Sequence, residues 1–186
     1  MRVALVLLVA LVAGSAAGAA VAQTEPVRRT TESLLNALKV APSEEVAAAI
    51  EGQLRGAWMG AASPAVKLLL SRGQRELSEG SATEGFDSYA AALDLEPELL
   101  EAWRGRAAAR SRMGDTQGAV RDLQEIIRRE PRNFMAWQDL SRVAEARGDW
   151  RGAFAAWQKL LEVDPHTPGG QARLRDLRRR ALGEDA

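Results

Sequence analysis

Between Val66 and Thr167 the apolar and small positions recur with a fixed spacing. Lining the chain up on Pro97, Pro131 and Pro165, each 34 residues after the last, gives units Val66–Leu99, Leu100–Asn133 and Phe134–Thr167. Large residues hold the fourth position (Leu69, Trp103, Trp137) and the twenty-fourth (Tyr89, Leu123, Trp157). The eighth is small (Gly73, Ala107, Ser141), as is the twentieth (Gly85, Ala119, Ala153). Ala92, Ile126 and Leu160 share position twenty-seven. Repeats of this length are helical pairs. Small residues let the helices approach, and large ones fill the space beside them. Gly80, Gly114 and Gly148, all at position fifteen, can take the left-handed conformation that ends the first helix. The following Ser81, Asp115 or Asp149 can cap the second, and Ser81-Ala82-Thr83-Glu84 has the form of a capping box. Proline at thirty-two closes the second helix.

This register resembles the tetratricopeptide repeat (TPR), a helix pair of 34 residues with Trp, small residues and Pro at fixed offsets. The resemblance covers 102 of 186 residues and implies an all-α, right-handed superhelical array of three helix-turn-helix units. Departures are informative. Position seven, usually Leu, is Arg72, Arg106 and then Leu140; position eleven, usually Tyr, is Glu76, Arg110 and Ala144. A guanidinium at position seven must find carboxylate or carbonyl partners, because an unpaired buried charge is prohibitive. Arg72 and Arg106 therefore belong either to an internal ion-pair network or to a binding surface.

Outside the repeats, Leu34, Leu35 and Leu38 predict a helix over 31–40, broken at Pro42. Ser43 caps a second helix, with Glu44 and Glu45 in its first turn and Val46, Ile50, Leu54, Ala57 and Trp58 on its apolar face. This hairpin, within 31–65, is expected to cover the open face of unit one, since a solenoid's terminal faces are covered or polar. Ser63-Pro64 opens the first repeat helix. Thr167-Pro168 looks like another cap and start, giving a C-terminal capping helix over 168–182 with Leu174, Leu177 and Leu182 on one edge and a largely Arg remainder. That helix reads as a solubilising lid; an acidic partner for its arginines is the alternative.

The N-terminal segment changes the compartment. Arg2, the apolar run Val3–Val12 and Ala20-Val21-Ala22 before Gln23 have the layout of a secretory signal over 1–22. Residues 23–30, polar and holding Pro26, would form a flexible mature terminus. High Ala, Arg and Gly content suits a bacterial chain, which makes the periplasm the expected destination. Val3–Ala22 is also twenty residues without a charge, about the length that spans a bilayer, so a retained inner-membrane anchor facing the periplasm is the alternative.

Charge and composition narrow the chemistry. Net charge is zero, so no strong field favours nucleic acid. With no Cys, thiol catalysis, disulfides and cysteine-ligated metals are excluded. One histidine, His166, lies in a loop, and neither a metal-ligand set nor a hydrolytic triad can be assembled around it. Phosphate-binding glycine motifs are absent. The reading is a protein without catalytic residues, metal or cofactor. Trp58, Trp103, Trp137 and Trp157 fall on packing positions; Trp150, beside a cap, is the one placed to stack on a ligand such as a cell-wall sugar.

What remains is binding. The resemblance implies a concave groove lined by the first helix of each unit. The residues it places there include Lys67 and Gln74, then Glu101, Arg104, Ala108 and Arg112, then Gln138, Arg142 and Glu145; Leu70 and Met135 are further positions. Arg104, Arg112 and Arg142 could hold a carboxylate or an extended backbone. Leu70 and Gln74 stand where a chaperone-tail clamp begins with Lys and Asn, so that recognition is not expected. The sequence-level expectation is a monomeric periplasmic adaptor that holds a protein or peptide segment for cell-envelope assembly or integrity. Its alternative is a membrane-tethered assembly factor, like the TPR modules beside cytochrome c maturation complexes.

Overall fold

The computed structural model describes residues 16–60 and 62–183, with side chains from Arg28 onward. Among them are nine α-helices and no strand: α1 (Ala16–Lys39), α2 (Glu44–Gly60), α3 (Pro64–Ser78), α4 (Ala82–Leu95), α5 (Leu100–Arg112), α6 (Thr116–Arg129), α7 (Phe134–Ala146), α8 (Trp150–Val163) and α9 (Gly170–Leu182). The pairs α3–α4, α5–α6 and α7–α8 are the three units, and each packs on the next through its second helix.

The repeat's punctuation works as its chemistry requires. Gly80, Gly114 and Gly148 have φ of 84°, 82° and 70°. Each lets the next residue's N–H reach back to the helix, Ser81 to Glu76 O, Asp115 to Arg110 O and Asp149 to Ala144 O, all at 2.9 Å. This is the Schellman closure, which satisfies carbonyls that a helix end otherwise orphans. Asp115 and Asp149 then accept from the Gly118 and Gly152 amides at 2.8 and 2.9 Å. Ser81 does not: its side chain makes no cap bond, so the expected capping box is not formed. Between the helices, the Ser141 hydroxyl donates to Ala153 O at 2.9 Å, joining positions eight and twenty directly. Trp103 and Trp137 donate their indole N–H groups to Pro97 O and Pro131 O at 2.7 and 2.8 Å. Position four of one unit thus locks onto position thirty-two of the unit before, which ties Trp and Pro together as one joint.

Arg106 settles into an internal network. Its guanidinium makes a two-pronged contact with Asp122 (Nε–Oδ2 3.0 Å, Nη2–Oδ1 2.9 Å), and Arg110 reaches Asp122 Oδ1 at 2.7 Å. Asp122 is only 1% exposed. Arg106 and Arg129 cover the Trp103 ring at 4.7 and 5.1 Å. In unit one the equivalent positions hold Arg72, Glu76 and Ser88: Arg72 Nε donates to Glu76 at 2.7 Å and Ser88 Oγ donates at 2.6 Å. Unit three uses Leu140, Ala144 and Ala156 at the same places. One three-position site is filled in three ways.

Three placements differ from the sequence expectation. Residues 23–30 lie within α1, flanked by alanine-rich chain upstream and the leucines of 34–38 downstream, both strong helix formers. Residues 1–15 of the signal segment fall outside the described residues. The last helix begins at Gly170, because Gly169 sits at φ 67° and Thr167 spends its hydroxyl on Asp164 (Oγ1–Oδ2 2.7 Å) instead of capping. The largest difference is the α1–α2 hairpin. It docks on unit three, where Leu35, Leu38, Ala47, Leu54 and Trp58 share a buried cluster with Phe134, Met135, Trp157 and Leu160. The Trp58 and Phe134 rings are 5.8 Å apart, and Arg132 Nη1 donates to Asn36 Oδ1 at 2.8 Å. Unit three alone offers adjacent large apolar residues, Phe134 and Met135, at its first two positions, whereas units one and two put Lys67 and Glu101 at the second. The leading face of unit one stays open. Position three, fully buried as Ala102 and Ala136, is there Leu68 at 71% exposure.

Helix α9 packs on α8 and buries Leu177 completely. Trp157 Nε1 donates to Gly170 O at 2.9 Å, and Arg173 and Arg180 stand over the Trp157 and Trp150 rings at 5.2 and 4.8 Å. Two of its arginines are therefore spent on the protein itself, as a lid requires.

Candidate functional site

Two clefts adjoin along the first helices of the units. One, of about 240 Å³, lies between α3 and α5, with Leu70, Leu77 and Tyr89 among its apolar lining and Gln74, Glu101 and Arg104 among its polar lining. Met59, from the end of α2, joins it. The other, of about 260 Å³, lies between α5 and α7 and is lined by Ser111, Arg112, Leu123, Asp139, Arg142 and Val143 among others. Ala108 is exposed and lines both.

The first cleft exists because glycines at two levels make room for one ring. Tyr89 passes so close to α5 that a Cβ on Gly105 would stand 2.1 Å from its Cε1, and one on Gly73 would stand 2.9 Å from its Cε2. Burial pushes the Tyr89 phenol above its ordinary pKa, so the ring stays neutral at the cleft.

The second cleft is governed by charge. Asp139 receives Arg104 at 3.4 Å and Arg142 at shorter range, while Arg104 also meets Glu101 at 3.3 Å. Burial works against the Arg104 charge, but the Glu101 and Asp139 carboxylates outweigh it and raise the guanidinium pKa further. Arg112 donates to Leu77 O, and among the described residues no carboxylate is paired with it. So the three groove arginines do converge, but Arg104 and Arg142 already hold a carboxylate and Arg112 a carbonyl.

The other sequence-predicted residues divide. Lys67 and Gln74 are exposed on α3, and Gln138 is half-buried on α7. Glu101 is buried at the cleft wall. Met135 is taken by the hairpin's core, and Glu145 is tied to Arg173 of α9. Trp150 carries the Arg180 guanidinium on its ring, so the face a sugar would need is met by the chain's own cation. Asp139 and Met59 were not singled out from sequence, and Tyr89 was read there only as a packing residue. Asp139 had a usable signal: it precedes Arg142 by three residues on one helix, the spacing of an ion pair. His166 sits half-buried in the α8–α9 turn, and among the described residues no group of three or more His, Cys, Asp or Glu could hold a metal. No helix among them is long and apolar enough to cross a membrane.

No protein-family model matches the chain. A TPR repeat-containing protein of Rhizobium etli is 24% identical over 162 residues, covering 87% of this chain and 79% of its own. Among solved structures, the Sgt2 TPR domain of Aspergillus fumigatus superposes with a TM-score of 0.61 at 23% identity, over 66% of this chain and 83% of that one. The first TPR of Spaghetti (RPAP3), bound to the HSP90 peptide SRMEEVD, gives 0.58 at 20% identity, over 63% of this chain and 95% of that one. MamA gives 0.55 at 21%, over 72% and 88%. The 34-residue register, its Schellman-closed hairpins and these likenesses agree on the fold, an array of helix-turn-helix units like that of tetratricopeptide-repeat domains.

Proposed function

We propose that this chain is a non-enzymatic scaffold that holds an extended protein segment in the groove along α3, α5 and α7. The observation that carries the reading is the pair of clefts adjoining at Ala108, the first lined by Leu70, Leu77 and Tyr89 beside the Glu101–Arg104 pair and the second by Arg112, Asp139 and Arg142. Each is large enough for one side chain, and together they suit a segment laid across the first helices. Spaghetti, of similar fold, is seen holding a peptide. A photoreactive residue at Gln138, half-buried on α7 next to Asp139 in the chain, tests it by crosslinking in cells. One dominant protein, lost when Ala108→Phe blocks both clefts, supports the scaffold; scattered abundant proteins unaffected by Ala108→Phe remove it.

The site of action in this proposal is the periplasm, in the service of cell-envelope assembly or integrity. Arg2, the apolar run to Val12 and the Ala20-Val21-Ala22 site support export with cleavage before Gln23. The uncharged stretch Val3–Ala22 supports the second reading, an assembly factor anchored in the inner membrane. N-terminal sequencing of the protein from fractionated cells decides: a chain beginning at Gln23 in the soluble envelope fraction supports the first, and an intact Met1 in membranes the second.

A further inference from the structure

Docking of the α1–α2 hairpin on unit three leaves a crevice where the two meet. Its volume is about 460 Å³, larger than either groove cleft, and it shares no lining residue with them. Leu35, Val163 and the half-buried Trp137 give it apolar walls. Lys39, Arg132 and Lys159 bring three cations to it, from α1, the loop before α7 and α8 respectively. The indole N–H of Trp137 is taken by Pro131 O at 2.8 Å, so what the ring offers the crevice is apolar surface.

The three cations are not equally engaged. Lys159 is held by Glu162 at 2.8 Å, and Glu162 is the one carboxylate in the lining. Arg132 gives Nη1 to Asn36 Oδ1 and has Glu130 only at 3.7 Å from Nε. The Lys39 ammonium has no ion-pair partner among the described residues. Even with Glu130 and Glu162 assigned, the junction keeps one cation without a carboxylate. Lys39 stands on the hairpin and Arg132 on the repeat array. Like charges facing each other across a joint work against its closure, and an anion between them reverses the sign.

A cavity of this volume falls within the ~300–1,000 Å³ of small-molecule sites, where apolar walls bind and a few polar groups orient. We propose that the crevice binds a small organic monocarboxylate carrying a flat apolar ring. The ring lies along Trp137, beside Leu35 and Val163, in the offset arrangement that aromatic pairs prefer. The carboxylate accepts from Lys39 and Arg132 together in charge-assisted hydrogen bonds. Its two anchors come from opposite sides of the joint, so the ligand binds only the docked hairpin. Mass action then makes it a clasp that holds α1 and α2 on unit three. The site is independent of peptide binding in the groove.

The probes are cinnamate, its neutral counterpart cinnamamide, and acetate, each titrated by calorimetry into the full-length protein. Cinnamate should bind at one site, with the amide and acetate at least tenfold weaker, since one lacks the charge and the other the ring. Lys39 is exposed, so Lys39→Gln leaves the core untouched. It should weaken cinnamate by ~10-fold or more, the loss of one hydrogen bond to a charged group, without lowering the melting temperature of the free protein. Hydrogen exchange supplies the second readout: cinnamate should slow exchange in α1 and α2 of the wild-type chain and much less in Lys39→Gln. No heat at millimolar cinnamate, equal affinity for the amide or acetate, or binding untouched by Lys39→Gln would overturn the proposal. Binding that leaves exchange in α1 and α2 unaltered would overturn it as well, because the ligand would then lie away from the joint.

Discussion

At the scale of single residues, the repeat tolerates different answers to one packing problem. Positions seven, eleven and twenty-three hold Arg106, Arg110 and Asp122 in unit two but Leu140, Ala144 and Ala156 in unit three. A buried ion pair is costly to desolvate and repaid only while every partner is present. Asp122→Ala, which strands two guanidiniums, is expected to cost ~3–5 kcal/mol. Converting all three positions to unit three's residues (Arg106→Leu, Arg110→Ala, Asp122→Ala) should be neutral or stabilising by ~1–4 kcal/mol. Urea unfolding of both variants checks the pair; a triple variant as damaged as Asp122→Ala would show that the network holds the hairpin in shape beyond its charge balance. Gly105 poses the opposite case, a site with no alternative. A methyl there would stand 2.1 Å from the Tyr89 ring, so Gly105→Ala should cost ~1–3 kcal/mol. Thermal unfolding should register that loss, and a Tyr89→Ala background should relieve the clash.

At the scale of helices, the caps show what a repeating sequence reveals. The Gly–Asp boundary reads directly into a Schellman closure and an N-cap in units two and three, because both use residues within one turn of each other. Ser81 breaks the pattern in the structure although its sequence matches, since a box needs the hydroxyl aimed at the helix as well as the right spacing. The Trp–Pro joints were legible as two separate recurrences, and the fold joins each pair through one hydrogen bond. Helix α6 carries a pH-dependent brace at its C-terminal end. Arg128 and, behind it, Arg129 hold the Glu125 carboxyl at about 2, against a smaller opposing effect of burial. Because the folded-state pKa is depressed, the stabilisation is fully present above the ordinary carboxylate value and is lost as pH falls from about 4.5 toward 2. The wild-type protein should therefore lose more stability than Glu125→Gln over that interval, and the two should converge near its acid end. Urea unfolding at several pH values tests this; parallel curves would mean that Glu125 is not held down in the folded state.

At the scale of the whole molecule, the α1–α2 hairpin ties the ends of the array together. Trp58 precedes the first repeat yet meets Phe134 at the start of the third, while Met59, next in the chain, lines the cleft at unit one. No periodicity could have announced this, because the register that exposes contacts between neighbouring units is silent about a non-repeating segment. The same applies to Asp139, whose bridge to Arg104 joins two units through positions that the repeat pattern leaves variable. What the sequence did carry was the apolar content of both partners: a hairpin face with Leu54 and Trp58, and Phe134 with Met135 where the other units have polar residues. A terminal repeat array folds as nearly independent neighbouring interfaces, so a strap across it should make the units more cooperative. Trp58→Ala removes the ring that meets Phe134 and is expected to cost ~3–5 kcal/mol. Hydrogen exchange should then show α1, α2 and the first turn of α7 opening well below the energy of global unfolding, while α5 and α6 keep their protection. In the wild-type chain, α2 and the start of α7 should open together. If Trp58→Ala instead lowers protection evenly from α3 to α9, the hairpin is one cooperative unit with the whole array. In that case the groove's shape at Met59 depends on the same contact, and peptide affinity should fall in step with stability.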